Sequence, residues 1–557
     1  MDCKATFDSS SDLEKHKPRG IYRNSDIVKS HLIRCGFKEG YDRWRWHGES
    51  LIPSTSASKE TQLDSETQAD CETQANRQTP EDNEDNNETH LKNLEELDLS
   101  DNSLEGFLPP CFCNMTSLRL VDLSSNQFRG DFSFIFPSLR SLEYITLGDN
   151  HFHTKFSFSL LDNHSKVKLV ELLNNDKLEV DTEDSNWIPK FQLEILLLPD
   201  CNLNKQSQKV PTFLAYQSML KVLDLSHNNL RGGFPNWVVK NNTKLLVFNL
   251  RNNSLEGSMH LQPHLNSSIV KMDVSDNQLD GKLHEDVGRM FPQITYLNLT
   301  KNYFEGFVSS SFCNMSQLIL LDLSINYFDG EIPKEMVSGC LHNLAILTLS
   351  SNRFRGQIFS TSFNMTGLKV LNLEDNQFSG HISNAINRNA LICLDASNNL
   401  FSGPLPSCPS LLQHVLIQSN IFTGPIPETL LNSSTLVMLD IRDNNLSGNL
   451  PSKTGAENLR ILLLGGNQLS GPFPNQLCWL VDNFKEFGDN ILDLDKVVIY
   501  GNILVKAYEI STNDSRYDEV LINFVTKSKS NSYKGDILNL MSGLDLSCNN
   551  FTSEIPF

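Results

Sequence analysis

The chain has 557 residues, with 67 acidic residues against 47 Lys and Arg, and a formal net charge of −20. That balance argues against a general binder of nucleic acid or of anionic membranes. No apolar run approaches the roughly 20 residues needed to span a bilayer, and the opening MDCKATFDSSSDLEKHK lacks the apolar core of a secretory signal.

Residues 1–50 read as a segment of their own. Asp26 to Cys35 is expected to form a short helix, with Ile27, Val28, His31, Leu32 and Cys35 on neighbouring turns and Gly36 ending it. Tyr41, Trp44 and Trp46 follow as an aromatic cluster. On His31-Leu32, Gly36-Phe37, Gly40-Tyr41, Trp44, Trp46 and His47-Gly48-Glu49, residues 21–49 resemble the C-terminal half of the transposase-associated domain of plant CACTA-type DNA transposons. The paired-cysteine spacing of a zinc site is absent, so no metal is expected here. Residues 51–90 repeat Glu-Thr-Gln at positions 60, 66 and 72 and end in the acidic run Glu81-Asp82-Asn83-Glu84-Asp85. Low apolar content with net negative charge predicts a disordered acidic linker.

From Leu97 one frame, L-x-L-x-x-N-x-L/F, returns about every 24 residues. Its polar marker falls at Asn102, Asn126, Asn150, a blurred copy near Asn175, Cys201, Asn228, Asn253, Asn277, Asn302, Asn326, Asn352, Asn376, Asn399, Asn420, Asn444 and Asn467, and again at Asn549. We number these repeats 1 to 17 by their markers. Alternation in L-x-L sends the leucines to one face, and stacked repeats can share the core that a single one cannot close. The fold class expected for residues 91–476 is therefore an α/β leucine-rich-repeat solenoid of about 16 repeats, a curved parallel-sheet superhelix. A buried marker asparagine must find backbone partners, and Cys201 suits that slot as a small residue with a weak donor.

Glycine follows the marker by four residues, as at Gly232, Gly330 and Gly424, and a hydrophobe-Pro pair often comes next, as at Ile332-Pro333 and Ile426-Pro427. This L-x-G-x-I-P form resembles the plant-specific leucine-rich repeat. Within the array, Trp187-Ile188-Pro189 is similar to a W-x-P stretch of plant receptor-like proteins, and Trp187 is expected to cover the core edge.

Sequons at Asn114, Asn241, Asn266, Asn314, Asn364 and Asn432 are the glycosylation candidates, and Asn114, Asn314 and Asn364 share one column of the repeat. A further sequon, Asn298, falls between two core leucines of a predicted strand. Cys113, Cys313 and Cys478 occupy a column that also holds Phe363, so they are expected to be buried thiols.

After Asn467 the register breaks, and residues 477–541 read as an insert with strands at Val497–Tyr500, Ile503–Ile510 and Val520–Val525. Its end, with Thr526, Lys527, Tyr533, Lys534 and Gly535, resembles the island domain of plant receptor-like proteins. That resemblance implies a role in ligand recognition, which makes Lys527 and Tyr533 contact candidates. Residues 542–557 open a further repeat. By the same resemblance, more repeats, a cap and a membrane helix would follow, and those last repeats would bring in partner receptor kinases. The array opens and closes on bare apolar residues, Leu94, Leu97 and Leu99 at one end and Phe551 and Ile555 at the other. Poor solubility is expected of residues 91–557 alone.

No catalytic constellation, metal set or cofactor motif is present in the sequence, so a non-catalytic module is expected. Function then lies in the surface of the stacked strands. Its lining is mostly Ser and Asp, and departures from it are the contact candidates: Arg251, Lys271, Tyr296 and Lys301 in one group, His414, Gln418 and Arg442 in another. The leading reading is a receptor-like protein fragment that binds an extracellular peptide, protein or glycan in plant defence or development. The resemblance places it at the plasma membrane or outside the cell. Competing readings are a fused or truncated product without selected activity, a secreted inhibitor of a cell-wall-degrading enzyme, and a transposon-derived nuclear protein associated with DNA. No nucleic-acid contact is expected of the repeats.

Overall fold

A computed structural model describes residues 92–472 except 176, 184–187, 263–265, 361, 383, 385, 387–389, 408–410, 453–454 and 456, and beyond them 474, 524–526, 529–531 and 543–552. The expectations for residues 1–90, for Trp187, and for Lys527, Tyr533 and most of the insert lie outside the described residues. Those described residues fall into two compact units, one up to Asp280 and one from Gly281 onward.

The alternating leucines form short parallel strands in strict register. In the first unit, Val222–Asp224 pairs with Val247–Asn249, matching Leu223 to Phe248. Eight such strands, from Glu96–Asp98 to Lys271–Asp273, belong to repeats 1 to 8. In the second unit the series runs from Tyr296–Asn298 to Ile461–Leu463 and continues with Gly543–Asp545. There Ile461 pairs with Gly543, so repeat 17 stacks directly on repeat 16. The inward residues of these strands, such as Leu223, Leu321, Leu371 and Leu439, are fully buried. Within each unit, the repeats thus contribute strands to a parallel sheet and aliphatic residues to a core, as the fold class required.

A second row of strands follows each marker. In the second unit it includes Tyr303–Gly306, Tyr327–Gly330, Arg353–Gly356 and Gln377–Gly380, again paired in parallel. Its buried position is aromatic in six successive repeats: Phe304, Phe328, Phe354, Phe378, Phe401 and Phe422 stack with ring centroids 6.0–6.4 Å apart. The glycine that closes each of these strands has positive φ, +81° at Gly330, where the Phe307 ring would lie 2.3 Å from an added Cβ. Both the backbone angle and the space exclude a side chain there. The remaining side of several repeats carries short helical segments, such as Pro110–Asn114, Asn236–Asn241 and Ser310–Asn314.

The markers bind the repeats together. Asn228 donates through Nδ2 to the carbonyls of Leu225 and Ser226 in its own repeat and of Leu198 in the preceding one. Its Oδ1 accepts from the amides of Cys201 and Leu203. Asn126, Asn150, Asn175, Asn253, Asn277, Asn326, Asn352, Asn376, Asn399, Asn420, Asn444, Asn467 and Asn549 each donate in the same way to the preceding repeat. Asn102 bonds the carbonyls of Leu99 and Ser100, and Asn302 those of Leu299 and Thr300. Cys201 donates through sulfur to Leu172 and Pro199 but offers no amide oxygen to repeat 4.

Two of the cysteine expectations are corrected. Cys313 is joined to Cys340 in a disulfide rather than standing as a buried thiol, and Cys113 is also disulfide-bonded. Cys340 lies 27 residues further along, and stacking of repeat 10 on repeat 9 brings the two Cα atoms within 5.3 Å. Cys478 lies outside the described residues.

Candidate functional site

The side of the first sheet turned away from the aliphatic core has a repeating chemistry. Where a repeat reads Asp-x-Ser, the Asp carboxylate accepts from the amide and hydroxyl of the Ser two residues later. Asp122 does so with Ser124, Asp224 with Ser226, Asp322 with Ser324 and Asp395 with Ser397. Through Oδ1 these carboxylates close the end of their own strand, and Asp224 Oδ2 also accepts from Asn249 of the next repeat. The Asp column is architecture, and a repeat that abandons the pattern frees a place for other contacts.

Repeats 14 and 15 abandon it on adjacent strands, since His414–Leu416 pairs with Met438–Asp440. Repeat 14 has Leu416 and Gln418 where Asp and Ser would stand. His414 Nδ1 and Gln418 Oε1 are both buried without a hydrogen-bond partner. An unsatisfied buried polar atom costs free energy unless something else pairs with it. Burial pushes the His414 imidazole down to about 4, so the ring is neutral at physiological pH. Arg442 is engaged within its own repeat: Nε lies 2.9 Å from Asp440 Oδ1 and Nη2 lies 2.6 Å from Asp440 Oδ2. Burial opposes the Arg442 charge, but the Asp440 carboxylate outweighs it and holds the guanidinium above its ordinary range. Arg442 is therefore a fixed, oriented cation at the floor of the site and not a mobile contact.

Acidic residues border these repeats. Burial, reinforced by Asp395 and Asp375, pushes Glu374 up to about 8. Burial also raises Asp395, to about 6, against the hydrogen bonds from Ser397.

The other candidate group is divided between the two units. Arg251 and Lys271 lie half-buried in repeats 7 and 8 of the first, and burial lowers the Lys271 ammonium to about 8. Tyr296 and Lys301 lie in repeat 9 of the second, where Asn298 donates to the Tyr296 hydroxyl at 3.2 Å. The Asn298 side chain is buried on its strand, which leaves that sequon unsuited to a glycan. Asn114, Asn241, Asn266, Asn314, Asn364 and Asn432 are all exposed.

Among the described residues no helix is long and apolar enough to cross a membrane. The in-register strands, marker spine and glycine-closed flank together define a leucine-rich-repeat solenoid. Leucine-rich-repeat family models match residues 82–128, 219–241, 293–315, 367–389 and 458–480. The chain is 35% identical to Receptor-like protein 14 of Arabidopsis thaliana, over 84% of this chain and 56% of that protein. It is 44% identical to Receptor-like protein 13 of the same plant, over 46% of this chain and 23% of the relative. The chain thus spans at most about half the length of these relatives. Among solved structures, a TDR receptor superposes with a TM-score of 0.62 at 26% identity, covering 71% of this chain and 67% of the other. The Arabidopsis receptor kinase HAESA, solved with the peptide hormone IDA and the co-receptor SERK1, gives a TM-score of 0.52 at 26% identity, covering 70% and 77%. The chain is a leucine-rich-repeat protein similar to plant receptor-like proteins.

Proposed function

We propose that the chain is the recognition part of a plant cell-surface receptor-like protein, a non-catalytic module that binds an extracellular peptide on the side of repeats 13 to 15 turned away from the aliphatic core. The observation that carries this reading is the unpartnered pair His414 Nδ1 and Gln418 Oε1 beside the oriented Arg442. Two polar atoms without partners and a fixed cation suit a backbone amide, a backbone carbonyl and a carboxylate of a bound peptide. The peptide hormone in the HAESA complex supports that ligand class, and its co-receptor supports receptor kinases as partners of the whole protein. Exposed sequons in one column and the Cys313–Cys340 disulfide support passage through the secretory pathway. Glycosylation at Asn114, Asn314 and Asn364, and contacts from Lys527 and Tyr533 beyond the solenoid, belong to the same proposal.

The test compares the chain, secreted from plant cells behind an added signal peptide, with its His414→Ala/Gln418→Ala variant, both immobilised and exposed to one apoplastic peptide fraction. Peptides retained by the first and lost by the second, at equal thermal stability, support the reading. Identical retention by both would contradict it.

A further inference from the structure

The second row of strands carries a cluster that neither the solenoid nor the face of repeats 13 to 15 requires. The Tyr303 and Tyr327 rings stack 6.0 Å apart and 12° from parallel. The Arg353 guanidinium caps the stack, 4.6 Å from the Tyr327 centroid. Tyr303 is 50% exposed, Tyr327 43% and the adjoining Ile325 47%. Arg355 projects from the same strand as Arg353, and both are exposed. Ile325 has φ of +50° and is the one β-branched residue in that region among the described residues, whose other occupants are mostly Asp, Asn and Ser. A β-branched side chain is strained there, and an exposed one gains nothing from the core.

The chain contains its own control. Residues 102–130 and 302–330 are near copies at an offset of 200, sharing Phe107 with Phe307, Cys113 with Cys313, Asn114 with Asn314 and Gly130 with Gly330. In the first copy the places of Tyr303, Ile325 and Tyr327 are held by Ser103, Ser125 and Gln127. Those residues occupy the same backbone, with Ser125 at φ +55°. Folding therefore does not call for the two tyrosines and the isoleucine.

We infer that Tyr303, Ile325, Tyr327, Arg353 and Arg355 form a protein-docking surface, separate from the peptide face. Its occupant is a partner polypeptide that presents an aliphatic or aromatic side chain beside a carboxylate. The apolar side chain packs on Ile325 and the ring edges, and the carboxylate reaches the two guanidinium groups. Charge selects the partner: two exposed arginines stand together in a chain of net charge −20. Both faces of Tyr327 are taken, one by the Tyr303 ring and the other by Arg353, which leaves its ring edge and hydroxyl outward.

The experiment uses the full plant-secreted chain and a fluorescein-labelled hexapeptide alternating Asp with Leu and Phe, read by anisotropy. The comparison variant is Tyr303→Ser/Ile325→Ser/Tyr327→Gln, which restores the residues of the first copy and should fold. Arg353→Glu is the second variant. Saturable binding that weakens at least tenfold in each variant and falls with added salt is the expected result. The inference is overturned by no binding by the unmodified chain, by undiminished binding in either variant, or by a site that takes only cellohexaose or oligogalacturonate. Concentration-dependent self-association abolished by the triple substitution, without peptide binding, would assign the surface to a second copy and also overturn it.

Discussion

A single amide can hold two repeats together because its donors and acceptor all point at backbone. Asn228 satisfies three carbonyls and two amides in a site closed to water. Asn228→Ala strands those groups, and we expect a loss of about 2–3 kcal/mol. Denaturant unfolding measures it, and hydrogen exchange should rise first at the Cys201 and Leu203 amides. His164 behaves oppositely. Its ring is buried against Phe136, and burial holds its pKa below the ordinary value. The unfolded chain takes up a proton as pH falls through about 6.5 while the folded chain resists. Stability present above that pH is therefore lost progressively below it, until the folded pKa is reached. His164→Leu should flatten this slope, and midpoints at pH 7.5 and 5 would show it. An unchanged slope would remove His164 from the account.

At the scale of the element, each repeat is legible in sequence wherever one repeat is enough to define it. L-x-L alternation and the marker spacing point to the strands, the core and the amide spine, because these depend on period alone. Pairings between repeats are not legible in that way. Cys313 shares a column with Phe363, and only stacking reveals Cys340 at its side. Arg442 stands out as a departure from Ser, yet its partner Asp440 belongs to the column that looks purely architectural. The tyrosine stack does not stand out in sequence because it occupies the second row of strands, away from the face on which contacts are expected. Two predictions belong here. Phe354→Ala opens the aromatic column between Phe328 and Phe378 and should cost about 3–5 kcal/mol. Cys313→Ser/Cys340→Ser removes a cross-link over 27 residues, with an expected loss of about 3–4 kcal/mol by loop entropy, read as a lower unfolding midpoint without loss of secretion.

Over the whole molecule, function reduces to which repeats stop serving the architecture. Where a repeat reads Asp-x-Ser, the pair closes its own strand. Repeats 14 and 15 are among those that depart from this pattern, and repeat 14 also leaves buried polar atoms unpaired. The resemblance to receptor-like proteins fits such a surface, and the residues themselves say where on it to look. The most direct measurement is hydrogen exchange on the plant-secreted chain with and without the apoplastic peptide fraction. We predict protection at His414–Leu416, Met438–Asp440 and the loops that follow them. Protection confined to the helical side, around Ser310–Asn314, or no protection anywhere in the solenoid, would contradict the account.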